Sequence, residues 1–205
     1  MYPYQKAINW LESKGQELFG NHFKIYDEDK AIIHKLIACS TSDEKMANQF
    51  GINLEKGILL SGPIGCGKTT LMTLLKHLAS PQNKYYVKSC REVSFEFINE
   101  GYEVINRYSK PSTHQSKAGI ICFDDLGTEN NLKYFGNECN VMGEILLSRY
   151  DLFCHPERNR RVKTHLTTNL SASELEYFYG NRVRSRLRES FNLIAFNNNS
   201  KDKRR

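Results

Sequence analysis

No apolar run in this chain of 205 residues approaches the ~18 residues that a membrane-spanning helix needs, and the N-terminal MYPYQKAINWLE has no apolar stretch of the secretory kind. Membrane insertion and secretion are therefore not expected. The six cysteines, at 39, 66, 90, 122, 139 and 154, are never closer than 15 residues. That spacing rules out a CxxC redox pair and a paired-cysteine zinc site, and it argues against a disulfide framework. A reducing, cytoplasmic setting is expected. Internal repeats and low-complexity linkers are also missing, so a single domain is the natural reading. With 40% hydrophobic and 25% charged residues the chain falls outside the disordered and fibrous classes, and its length suffices for a core without staples.

What is present in excess is positive charge, and it is unevenly placed. Against 29 Lys+Arg stand 23 Asp+Glu, a formal net charge of +6. Residues 156–205 carry twelve basic and five acidic side chains, whereas residues 1–155 carry seventeen and eighteen. Eight of the twelve form two clusters: Arg182, Arg184, Arg186 and Arg188, then Lys201, Lys203, Arg204 and Arg205. The second cluster reads as simple electrostatic attraction to DNA.

Hydrophobic spacing divides the chain into an N-terminal helical segment (1–50), a core (51–196) and a loose basic tail (197–205). In the first, Ile8, Leu11 and Leu18 form one apolar stripe and Ile32, Ile33, Leu36 and Ile37 a tighter one, with Phe23 and Ile25 alternating between them. In the core, short apolar runs at 57–61, 85–87, 119–123, 162–168 and 191–196 read as strands. Helical spacing follows Lys68 until Ser80-Pro81, runs from Arg91 to Tyr108, and returns from about Asn137 to Phe153. Ser171-Ala172-Ser173-Glu174 matches a capping box, so another helix begins there. The polar run from Ser109 to Lys117 is a loop. Alternating strands and helices imply an α/β fold with a parallel sheet and right-handed crossovers.

Gly62-Pro63-Ile64-Gly65-Cys66-Gly67-Lys68-Thr69 fits G-x-x-x-x-G-K-[ST] at every fixed position, between a strand and a helix. In such a loop, with Thr70 following it, the glycines aim amides at phosphate oxygens and the helix start adds its dipole. Lys68 reaches the β- and γ-phosphates of ATP, and the Thr69 hydroxyl binds Mg²⁺. The Cys66 thiol is either sensitive to oxidation or a small filler. Asp124 and Asp125 end an apolar strand and can lie at the carboxyl edge of the sheet beside the loop. Asp124 is then the Mg²⁺ carboxylate and Asp125 the group that orients the attacking water, with Glu129 a weaker candidate; the alternative is an ordinary Asp-capped turn. Asn169, after Thr167 and Thr168 at the end of another strand, either donates to the γ-phosphate or caps a turn. In the arginine ladder Val183 and Leu187 share one helix face and Arg182 and Arg186 another. The ladder is either a solvated face or an arginine finger for a neighbour's ATP.

KGILLSGPIGCGKTT, IICFDDLGTE, HLTTNL, YGNRVRSRLRE and the closing FNLIAF with SKDKRR, in that order, resemble the AAA+ ATPases of the DnaC/IstB type, the bacterial helicase loaders and transposition helper ATPases. The resemblance covers about Gly51 to Arg205. It implies a P-loop NTPase of the AAA+/ASCE class, a three-layer sandwich around a five-stranded parallel sheet with a minimal or absent lid. It also implies that Asn169 is the sensor for the γ-phosphate, and that Arg186 is a finger supplied in trans with Arg182 assisting. ATP sites would then lie at the interfaces of a homo-oligomer. The partners it implies are single-stranded DNA and a replicative helicase, or a transposase in the alternative reading. The Arg91–Tyr108 helix would face the DNA, with Lys88, Arg91 and Arg107 for its phosphates. Asp125 stands where many AAA+ proteins have glutamate, which implies slow hydrolysis. An ATP-gated assembly factor with little turnover is the remaining reading; a phosphotransferase lid is not found between the core strands.

Overall fold

The computed structural model describes residues 4–110, 119–129, 132–134 and 137–204. Three helices come first: α1 (Tyr4–Phe19), α2 (Lys30–Thr41) and α3 (Glu44–Phe50), the last capped by the Asp43 side chain and closed by left-handed Gly51. Strand β1 (Gly57–Ser61) then leads into α4 (Lys68–Leu78), and β2 (Tyr85–Ser89) into α5 (Cys90–Glu100). The single helix expected over 91–108 is two helices. Gly101, at φ 63° and ψ −141°, leaves helical space and starts α6 (Tyr102–Ser109). Residues 111–118, most of the expected loop, lie outside the described residues.

Strand β3 (Ile120–Leu126) is followed by a short antiparallel pair, β4 (Leu132–Tyr134) and β5 (Asn137–Cys139). Helix α7 (Val141–Phe153) accordingly starts later than its apolar spacing suggested, where the Asn140 side chain accepts from the Gly143 amide. After β6 (Thr164–Thr168), the Ser171–Glu174 capping box opens α8 (Ala172–Ser190), which Gly180 breaks internally at φ 79° and ψ 163°. Strand β7 (Phe191–Ala195) ends the sheet. Phe23 and Ile25 lie in irregular chain ahead of a 3₁₀ turn at Asp27–Asp29 rather than in a strand.

The five longer strands form one parallel sheet in the order β2-β3-β6-β1-β7. Side chains alternate across it. Leu59, Ile121, Phe123 and Leu166 pack under α5, α6, α7 and α8, while Ile58, Leu60, Cys122 and Ile194 pack under α1, α2 and α4. The result is an α/β three-layer sandwich. Between β1 and β2 the chain passes over β6 and β3, so a crevice opens at the carboxyl ends of β1, β3 and β6.

Candidate nucleotide site

The loop after β1 is shaped by two left-handed glycines, Gly65 (φ +81°) and Gly67 (φ +100°), a backbone that β-carbons oppose. The first helical bond of α4 runs from the Leu71 amide to the Gly67 carbonyl at 2.9 Å. Amides of the preceding turn have no carbonyl behind them in the helix, and Lys68, Thr69 and Thr70 line a cavity of about 410 Å³. The Lys68 ammonium is buried and donates to the carbonyls of Gly62 (2.8 Å) and Pro63 (2.9 Å). Ile64 is exposed, and Cys66 is buried with its thiol pushed up in pKa by burial, the setting of an inert filler.

Asp124 and Asp125 sit at a bulge where β3 loses register with β6, between Phe123 opposite Leu166 and Leu126 opposite Thr168. Asp124 Oδ1 accepts from the Thr69 hydroxyl (3.1 Å) and from the Thr167 hydroxyl (2.6 Å). Burial raises the Asp124 pKa first, and the neighbouring Asp125 charge raises it further against those hydrogen bonds and Lys68. The bulge places Asp125 at φ +56°, in left-handed space, and in the wall of the same cavity. Its amide donates to the Thr167 hydroxyl at 2.8 Å. The structure thus brings the loop, Thr69, Asp124 and Asp125 together. Glu129 is held elsewhere, accepting from the Gly127 amide and the Tyr179 hydroxyl.

Asn169 is exposed at the end of β6, immediately after fully buried Thr168. Arg182 and Arg186 lie on α8 and line no part of the cavity. The Arg186 guanidinium stacks on Tyr150 with its carbon 5.0 Å from the ring centre, and its Nη1 donates to the Arg182 carbonyl at 3.3 Å. Val183 and Leu187 are buried as their spacing required. The three cations assigned to DNA phosphates are not equivalent. Lys88 is paired with Glu92 (2.9 Å) and Glu96 (2.7 Å), and Arg107 with Glu96 (3.1 Å) and Glu100, which removes both as free charges. Arg91 instead lies over the exposed ring of Phe95 at 5.3 Å.

Two walls of the cavity were not legible in the motifs. One is the stretch His22–Tyr26 with Asp29, which joins Phe19 and Ile33 to give the cavity an apolar and aromatic side. The other is the tail, expected to be loose. Lys203 and Arg204 line the cavity, and the Lys203 amide donates to the Gly65 carbonyl at 3.0 Å. Arg205 lies outside the described residues. The sequence drew attention to Thr167 only as a polar strand end; its role as the bridge between two aspartates needed the bulge to be seen.

A profile of the ATPase family associated with various cellular activities (AAA) matches residues 58–169, more than half of the chain. The chain belongs to the AAA ATPase family. The matched stretch begins within β1 and ends at Asn169, so it contains the loop and both aspartates and leaves out the ladder, the His22–Asp29 wall and the tail. Cell division control protein 48 homolog B of Arabidopsis thaliana is 32% identical over 107 residues, 49% of this chain. The chain spans only 16% of that relative's length. Among solved structures, the crystal structure of the DnaC helicase loader superposes with a TM-score of 0.49 and 20% identity, over 70% of this chain and 79% of that one. The assignment to the AAA family rests on the sequence match alone.

AAA ATPases bind nucleotide, and the oxygens at this site suit the Mg²⁺ that accompanies it. Thr69 Oγ1 and Asp124 Oδ1 are hard donors that already meet at 3.1 Å. Among the described residues no group of three or more His, Cys, Asp or Glu side chains is placed to hold a metal alone. A site with one carboxylate and one hydroxyl leaves the remaining positions to phosphate and water, which is how Mg²⁺ is usually held. Among the described residues no helix is long and apolar enough to cross a membrane.

Proposed function

We propose that this AAA protein hydrolyses ATP to ADP and phosphate and acts as a DnaC-type helicase loader on single-stranded DNA in replication, in the cytoplasm. The observation that carries the ATPase reading is the convergence of Lys68, Thr69 and Asp125 on one cavity at the carboxyl edge of the sheet, with buried Asp124 hydrogen-bonded to Thr69. Gly62, Pro63, Ile64, Gly65, Cys66 and Gly67 shape the cradle, and the amides of Lys68, Thr69 and Thr70 take the phosphate oxygens. Lys68 leaves the carbonyls of Gly62 and Pro63 for the β- and γ-phosphates. Thr69 and Asp124 hold Mg²⁺, which when bound neutralises charge on those phosphates. Asp125 orients the water in line with the bond between the γ-phosphorus and the bridging oxygen, and Asn169 contacts the γ-phosphate. The aromatic side of the cavity takes the base.

Arg186, assisted by Arg182, serves the ATP of the next subunit in a homo-oligomer, a reading supported by neither arginine lining this subunit's own cavity. The DnaC assignment rests on the order of the five sequence motifs. The surface offered to single-stranded DNA is the stacking face of Arg91, Phe95 and Ile98 on α5, with Arg91 its phosphate contact. A transposition helper would use the same residues with a transposase as partner. The reading of an ATP-gated assembly factor with little hydrolysis draws support from Asp125, a short side chain on a left-handed backbone. Turnover measured against protein concentration, with and without a single-stranded oligonucleotide, tests the proposal. A rate per subunit that rises with concentration and with DNA is expected; undetectable turnover under every condition favours the assembly factor.

A further inference from the structure

A loop that turns its amides toward an anion must turn its carbonyls outward, and each outward carbonyl needs a donor. Here the carbonyls of Gly62 and Pro63 are taken by Lys68, a residue that phosphate would draw away. Those of Gly65 and Cys66 are taken by a residue of the tail. The Lys203 amide donates to Gly65 at 3.0 Å, and its ammonium donates to Cys66 at 3.3 Å. The same ammonium donates to the carboxylate of Asp29, which is 6% exposed and lies at the far end of the chain. Two ring faces close it in, Tyr26 at 5.3 Å and Phe196 at 5.2 Å. The Asp202 carboxylate fills the space that a β-carbon on Gly65 would occupy, so the tail packs directly against the loop there.

We infer that Lys203 is a positioning residue for nucleotide binding, clamping the outer carbonyls of the phosphate loop while Asp29 holds its ammonium in place. A desolvated Lys–Asp pair is a weak source of net stability, because its Coulomb gain is spent on desolvation. What such a pair supplies is fixed geometry. The clamp joins three stretches distant in sequence: the 3₁₀ turn at Asp27–Asp29, the loop, and the tail. Lys203 therefore keeps the amides of the loop directed inward when Lys68 turns to the phosphates.

This inference rests on the nucleotide reading, and its test separates the two. Binding of a fluorescent ATP analogue to the full chain is measured for wild type, Lys203→Met, Lys203→Arg, Asp29→Asn and the double variant Asp29→Asn/Lys203→Met. Lys203→Met is expected to weaken binding about tenfold, the loss of one charge-assisted contact. Asp29→Asn should weaken it similarly, the double variant no more than either alone, and Lys203→Arg should bind within about threefold of wild type. Hydrogen exchange without nucleotide gives a second readout. Lys203→Met should accelerate exchange in residues 62–70 while leaving the sheet strands unchanged. Wild-type binding with Lys203→Met equal to it, or unchanged exchange in the loop, overturns the inference alone. A wild type that binds no nucleotide overturns the nucleotide reading and this inference with it.

Discussion

The Thr167 hydroxyl donates to Asp124 Oδ1 at 2.6 Å and accepts from the Asp125 amide at 2.8 Å. One fully buried side chain thus fixes both aspartates at the strand end. The donated proton orients the Asp124 carboxylate toward Thr69, and the accepted one holds the bulge that puts Asp125 at φ +56°. In metal sites, outer partners of this sort orient the direct ligands and tune their affinity.

Thr167→Val keeps the shape and removes both hydrogen bonds. It should weaken Mg²⁺-dependent nucleotide binding by roughly 10–100-fold and leave binding without Mg²⁺ close to wild type. Titration of a fluorescent nucleotide with and without Mg²⁺ checks this, and Thr167→Ser should recover most of the loss.

If Arg186 is the proposed finger, Arg186→Ala should reduce ATP turnover by about a thousandfold and leave nucleotide binding intact, because such a finger acts on charge that develops during the reaction. Mixing it with Lys68→Ala supplies an intact loop from one chain and an intact arginine from the other. Partial recovery of turnover in the mixture is the expected result; mixtures no more active than either variant would place the arginine outside the neighbour's site.

His165 is buried, and the Ile58 amide donates to its Nδ1 at 3.0 Å, so the ring must stay neutral there. Burial first, then Lys163 and Arg149, push its pKa down to about 3. Between the ordinary value of 6.5 and that value, the unfolded chain takes up a proton that the folded chain refuses. Stability from this group is therefore complete above 6.5 and is lost as pH falls toward 3, with about 2 kcal/mol gone by pH 5. Denaturant unfolding of wild type and His165→Asn at pH 7.5 and 5.0 measures it. Asparagine keeps an acceptor for Ile58 without the titration, so its stability should change less by about that amount.

The parts of the site read from sequence are those whose contacts are local. The strand, loop and helix from Gly57 to Leu78 are set by an apolar run, two glycines and helical spacing within one short stretch. The two aspartates were legible because an apolar strand ended on them. The Lys203–Asp29 contact joins residues 174 positions apart, and no local pattern announces it. The breaks at Gly101 and Gly180 were hidden because apolar residues keep helical spacing on both sides of each. The net charge overstated the surface available to DNA. Arg158 pairs with Glu55 and Arg184 with Glu176, while Lys203 faces inward.

Lys68, Thr69, Asp124 and Asp125 are proposed to form one site that hydrolyses ATP. The decisive measurement is phosphate release by the full chain, with and without Mg²⁺, for wild type and Lys68→Ala in the presence of single-stranded DNA. Mg²⁺-dependent release by wild type is expected, falling at least about 100-fold in Lys68→Ala. Equal release by the two proteins, or none by wild type at any protein concentration, would contradict it.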